Sequence, residues 1–232
     1  MTDSSKNADE AATVPGAKPK PRRNAARSRR AILDAALVEF SERGHAGARI
    51  DAIAERAKVS KPMIYSYFGD KEGLYAATLR EAYVQIRKGE QQLDLSHRPP
   101  EDAIRALVEF TLDHFRAKPW FISMLNTENL LGGETIRMIS DVGEIQSPLI
   151  AGLSRVLKQG EDEGVFRDGI DPVELYITVA SLCYFPVSNK HTLRAVFDVP
   201  LDDAWLERRK ADVCELVVRF LRQPQPETTT RD

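Results

Sequence analysis

Val59-Ser60-Lys61-Pro62-Met63-Ile64-Tyr65-Ser66-Tyr67-Phe68-Gly69-Asp70-Lys71-Glu72-Gly73-Leu74 is the stretch from which the rest of the chain can be read. Ser60 can cap a helix with its hydroxyl, and Pro62 suits a first helical turn, where a missing backbone N–H costs nothing. Ile64 and Phe68 are four apart and belong on one inward face. Gly69 and Asp70 end this helix and begin another that carries Leu74, Leu79, Tyr83 and Ile86 to about Lys88.

Upstream, Asp51 to Ala57 forms a short helix with Ile53, Ala54 and Ala57 inward. Before it, Ile32, Leu33, Ala36, Leu37 and Phe40 define a first helix from about Ala25 to Arg43, stopped by Gly44. Two short helices joined by Lys58, Val59 and Ser60 are the parts of a helix-turn-helix. The second helix would be the reader, with Ser60, Lys61, Pro62 and Met63 presented to base edges and phosphates. The hydroxyls of Tyr65 and Tyr67 can reach phosphate oxygens, although Tyr67 fits the small core equally well. Lys71 stands at a helix N-terminus, where amide donors also favour an anion.

Charge supports a polyanionic partner at this end. The chain of 232 residues has 33 Lys+Arg against 35 Asp+Glu, a near balance that hides an asymmetry. Residues 1–88 hold 17 basic and 11 acidic side chains, whereas the remainder hold 16 and 24. Lys18, Lys20, Arg22, Arg23, Arg27, Arg29 and Arg30 form a cationic run without an acid. Residues 1–23 read as a disordered basic arm, 24–70 as the helix-turn-helix domain, 71–222 as a helical ligand-binding and dimerisation domain, and 223–232 as a disordered tail.

The Val-Ser, Tyr-x-Tyr-Phe and Lys-x-x-Leu series within this three-helix unit resembles the DNA-binding signature of the TetR family of bacterial transcriptional regulators. The resemblance covers about fifty residues, back through Ile53-Ala54 and the end of the first helix at Phe40 to Gly44. It implies DNA contacts from Ser60, Lys61, Pro62, Tyr65 and Lys71. It also implies an all-α homodimer joined through its last two helices and a palindromic double-stranded DNA operator. Two positions depart from the family pattern. Arg49 stands where relatives have a capping Thr or Ser, and it gains a possible phosphate contact. Lys58 replaces the usual turn Gly, so a positive φ there would cost strain, and the side chain is a candidate backbone contact.

The second half reads as helix throughout: about 101–117, 119–131, 134–162, 172–188 and 203–222, with Pro148 expected to bend or divide the third of these. No alternating run suggests a sheet. Val173 to Val187 is apolar on nearly every side, and Leu206, Val213, Val217, Phe220 and Leu221 form a stripe suited to a partner. The segments 119–129 and 184–189 are loosely similar to a branch of the family that includes regulators of nitrogen-heterocycle catabolism. Their aromatic, Met and amide side chains are usual for a small-molecule site.

Candidate contacts of a small organic effector are His114, Trp120, Phe121, Met124, Asn126, Glu128, Tyr176 and Cys183. His114 is open between a core histidine, an effector contact and a metal ligand. Trp120, Phe121, Met124 and Tyr176 could equally be plain core. Asn126 and Glu128, if buried, need a ligand or a polar network, and Cys183 could be a redox sensor.

The chain has no Gly-x-Ser-x-Gly, no dinucleotide or phosphate loop and no histidine pair at metal spacing, so neither an enzyme nor a metal or cofactor is expected. The longest charge-free run, Leu175 to Asn189, is too short to span a bilayer. Met1 to Ala17 lacks an apolar signal segment, and a cytoplasmic, reduced protein is expected. The sequence thus predicts a ligand-released repressor. The alternative is a DNA-binding regulator controlled by a protein or by DNA cooperativity and not by a metabolite, which a small or absent cavity behind Trp120 and Tyr176 would favour.

Overall fold

The computed structural model describes residues 21–223. These residues form eleven α-helices and a single 3-10 turn at Leu95–His97, with no strand among them beyond an isolated antiparallel bridge between Phe166 and Arg222. The basic arm expected at residues 1–23 lies mostly outside the described residues. Its last three, however, are helical, because α1 runs Pro21–Gly47. Gly44, at φ 66°, interrupts α1 where a glycine stop was expected. The expected tail begins with a residue that is tied down: the amide side chain of Gln223 donates to the Phe166 carbonyl at 2.9 Å.

Helices α2 (Ile50–Ala57) and α3 (Lys61–Phe68) follow. Asp70 then opens α4 (Lys71–Gln91) by accepting the Gly73 N–H at 2.7 Å. Ile32, Phe40, Ile53, Ile64, Leu74 and Leu79, all essentially inaccessible, form a first core. This core does not end at residue 70. It includes the first half of α4, and it recruits Met124 and Ile139 from the second half of the chain.

The second core is built by the remaining helices: α5 (Pro100–Ala117), α6 (Pro119–Leu130), α7 (Glu134–Met138), α8 (Val142–Asp162), α9 (Pro172–Ser188), α10 (Lys190–Phe197) and α11 (Asp203–Leu221). Leu107, Leu112, Leu153, Val179 and Leu221 lie at its centre.

Three expectations are corrected. Pro148 neither ends nor divides a helix but lies inside α8. The break falls at residues 139–141, where Ile139 turns into the first core and Asp141 receives the Arg80 guanidinium. The short α10 was not expected at all. Finally, Val213, Val217 and Leu221 face the second core and not a partner, so the outward apolar groups of α11 are Leu216 and Phe220.

Candidate functional site

The outward face of the first core has the expected cationic and hydroxyl groups. Lys61, Pro62, Tyr65 and Ser66 are exposed along α3, with Ser60 just before it and Lys58 in the turn. Lys58 has φ 54° and ψ 45°, the left-handed conformation for which glycine is the strain-free residue, so the sequence departure carries the strain anticipated for it. Ser60 occupies the N-cap position of α3, yet its hydroxyl makes no capping bond, contrary to expectation. The hydroxyl is left on the exposed side.

Arg49 is likewise an exposed N-cap without a side-chain bond, but α2 is not uncapped. The buried Glu39 of α1 accepts the Arg49 backbone N–H at 3.0 Å, which also puts a negative group at the helix N-terminus. That replacement leaves the Arg49 guanidinium outside.

Lys61 is not idle in the free protein, since its Nζ lies 2.9 Å from Asp51 Oδ1 of α2. Lys71 donates from Nζ to the Ala46 carbonyl at 3.2 Å and so pins the last turn of α1, beyond the interruption at Gly44. Tyr67 is half-buried against the first core beside Phe68, so packing is the larger part of its role. Arg27 is exposed on α1, and the Arg29 guanidinium carbon sits 5.2 Å from the centre of the Phe68 ring.

In the second half, a cavity of about 320 Å³ opens between α4, α6 and α9. Tyr83 and Arg87 come from α4, Phe121 and Leu125 from α6, and Tyr176 and Tyr184 from α9. Phe115, Asn129, Gln146, Ile177, Ala180 and Ser181 complete its lining. Burial pushes the Tyr83 phenol up to about 12 and raises that of Tyr176, so both stay neutral donors.

Of the eight side chains expected here, Phe121 and Tyr176 line the cavity. Asn126 lies at its edge, accepting a hydrogen bond from the Tyr184 hydroxyl and thereby orienting a lining ring. The other five face elsewhere. Met124 is fully buried in the first core, since its position on α6 points back toward α1. Trp120 is half-buried, with Lys118 Nζ 5.6 Å from its ring centre.

Glu128 is buried at the start of α7, where one carboxylate oxygen accepts the Ile136 N–H at 2.9 Å. His114 is enclosed by Phe110, Phe115 and Phe121, with ring centres 5.5, 6.3 and 5.5 Å away. Burial first, and then the cations Lys118 and Arg87, lower its pKa to about 4 and keep it neutral. Cys183 is fully buried, with its thiol pushed up to about 12 by desolvation, and a thiol without thiolate character is no redox sensor.

Sequence reading missed Tyr83, Arg87 and Phe115, for which the i, i+4 spacing of Tyr83 with Arg87 was the available hint; Leu125 and Tyr184 lie in the two segments read as site-like but were not singled out.

A three-helix reading unit joined through α4 to a larger helical domain defines a DNA-binding regulator of the helix-turn-helix class. Comparison with known proteins agrees. Residues 32–78 match the family described as "Bacterial regulatory proteins, tetR family", and residues 100–217 match "Tetracyclin repressor-like, C-terminal domain". The HTH-type transcriptional repressor NicS of Pseudomonas putida is 37% identical over 201 residues, covering 85% of this chain and 93% of that protein. The HTH-type transcriptional repressor SCO4008 of Streptomyces coelicolor is 30% identical over 158 residues, or 67% and 76% of the two chains. The crystal structure of SCO4942 from Streptomyces coelicolor superposes with a TM-score of 0.63 at 25% identity, covering 85% of this chain and 99% of that one.

The chain belongs to the TetR family of bacterial transcriptional regulators. It is a DNA-binding transcriptional regulator with a repressor role. Regulators of this family bind DNA operators and typically act as dimers, and none of the described helices is long and apolar enough to cross a membrane.

Proposed function

We propose that the protein, as a homodimer, holds a palindromic operator through α3 of each copy and releases it when a small organic effector enters the cavity between α4, α6 and α9. In this reading Ser60, Lys61 and Pro62 approach the bases. Arg49, Lys58, Tyr65 and Lys71 meet phosphates, Arg27 and Arg29 extend the cationic surface, and Tyr67 supports α3 from behind. The dimer face is formed by the outer sides of α9 and α11, which leave Val173, Ile177, Phe185, Leu216 and Phe220 exposed in a single copy.

The observation that carries the reading is that two helices serve both cores. α4 contributes Leu74, Tyr75 and Leu79 to the first core and Tyr83 and Arg87 to the cavity, Arg87 standing about 20 Å beyond Leu74 at 1.5 Å per residue. α6 turns Phe121 and Leu125 to the cavity and Met124 to the first core, and Ser123 Oγ donates to the Ser41 carbonyl of α1 at 2.6 Å. A ligand that separates α4 from α6 therefore moves both supports of the reading unit. A hundredfold loss of DNA affinity requires about 2.7 kcal/mol of differential binding.

Nuclease protection across the DNA flanking the gene tests the DNA half of this reading. Two protected half-sites about one helical turn apart are expected. An operator probe then serves for effector screening. A compound that binds the cavity tightly while leaving operator affinity unchanged would sink the coupling.

A further inference from the structure

Arg87 is the one charged side chain among those lining the aromatic cavity. Its side chain is only 6% exposed, and its guanidinium has five N–H donors on three nitrogens. One arm donates to the Tyr176 hydroxyl at 2.6 Å and another to the Glu90 carboxylate, while Nε has no partner. Glu90, 1% exposed, is also only half satisfied, since Oε1 accepts nothing. Behind the pair lies a second, polar cavity of about 230 Å³, lined by both residues together with Asp94 and Arg155. A buried ion pair with open hydrogen-bonding positions on both members is poorly compensated for its desolvation, and it can be exchanged.

We propose, building on the effector reading above, that the effector is an aromatic carboxylate that takes Arg87 from Glu90, and that Glu90 binds a proton from solvent as it is displaced. The ring lies among Tyr83, Phe121, Tyr176 and Tyr184, and the carboxylate meets the guanidinium with the fork geometry that suits it. No covalent bond changes. The incoming anion replaces the Glu90 anion beside Arg87, and the added proton leaves the buried site with the same net charge. A neutral amide of the same shape cannot make this exchange.

The groups facing Glu90 are consistent with it. Arg87 precedes it by one turn, Tyr176 approaches from α9, and Asp94 and Arg155 lie across the polar cavity. On the α5 side the neighbour is apolar, since the Phe110 ring lies against Gly89. Burial, only partly offset by Arg87, brings the Glu90 carboxyl up to about 7, so the exchange falls in a physiological range.

The test is calorimetric titration of the full chain with benzoate, 4-hydroxybenzoate and related one-ring acids, each paired with its amide, at pH 6, 7 and 8 in two buffers of different ionisation enthalpy. The acids are expected to bind at least tenfold tighter than their amides. Proton uptake should rise toward one per site at pH 8, and acid affinity should fall by up to about tenfold per pH unit above 7. Glu90→Gln should keep acid binding and lose both the proton uptake and the pH dependence. The double variant Arg87→Gln with Glu90→Gln leaves no unpaired buried charge and should lose the preference for acids. Amides that bind as well as acids and release the operator would overturn this inference while leaving the effector reading intact. Acid binding without proton uptake would overturn the exchange. Binding by neither series would overturn this inference and leave the effector reading to neutral or cationic compounds, tested in the operator-release screen.

Discussion

Lys58 has a residue type that backbone strain alone disfavours, and Lys61 is paired with an acid in the free protein. Lys58 is held at φ 54°, where an L side chain costs about 1–2 kcal/mol and glycine costs nothing sterically. Lys58→Gly is therefore expected to raise unfolding stability by up to about 1 kcal/mol, after glycine's larger loss of chain entropy, and to weaken operator binding. Parallel urea unfolding and operator titration check this, and a variant that is less stable would show that the turn carries no strain. Lys61 is shared with Asp51 at 2.9 Å, so in the free protein an acid of α2 holds a proposed DNA contact. Asp51→Asn should tighten operator binding severalfold and steepen its dependence on salt, because one more cation is free to displace counterions. Weaker binding would mean that Asp51 positions Lys61 for the DNA.

At the scale of elements, the junctions are the informative places. Gly73 lies where α4 meets the end of α3, and a Cβ there would stand 2.2 Å from the Phe68 carbonyl oxygen. Gly73→Ala must push the helices apart, and a loss of about 1–3 kcal/mol is expected in chemical unfolding, with operator affinity falling as α3 shifts. The junction of α6 with α1 rests on Ser123 and Met124. Ser123→Ala should cost about 1 kcal/mol and reduce the response to effector more than the affinity for effector, which titrations with and without operator would separate. These junctions also mark what the sequence could tell. The helices and the reading unit were legible because apolar residues at three- and four-residue spacing, Gly44, Pro62 and Asp70 are local signals. The cavity was less so. Met124, Glu128 and His114 have the composition of a binding site, but which side of a helix faces a cavity depends on the neighbouring helices, and α6 has one core on each side. Arg87 was not singled out, and neither was α10, whose Leu193, Val196 and Phe197 have helical spacing but bury no side chain in a core.

For the whole molecule, two strongly shifted buried groups, His114 and Glu90, act on stability in opposite directions. His114 is held at about 4 against an ordinary 6.5, so the unfolded chain binds the extra proton between those values. Its contribution, about 3 kcal/mol, is intact above pH 6.5 and is lost as pH falls toward 4. Glu90 is held at about 7 against an ordinary 4.5, so here the folded chain binds the extra proton, and burial of the charged form costs about 3 kcal/mol above pH 7. That cost disappears as pH falls from 7 to 4.5. Over the shared window the slopes cancel, and these two groups together should leave wild-type stability nearly level from pH 6.5 to 4.5. His114→Leu removes one limb, and its stability should rise as pH falls through this window. Glu90→Gln removes the other, and its stability should fall with pH. The double variant should be level again. Unfolding free energies of the four proteins measured by denaturant titration at half-unit steps decide the matter. Parallel pH profiles for all four would mean that neither group is shifted in the folded chain. Opposite slopes in the single variants would show that the aromatic enclosure of His114 and the half-satisfied pair at Arg87 offset each other in a single folded domain.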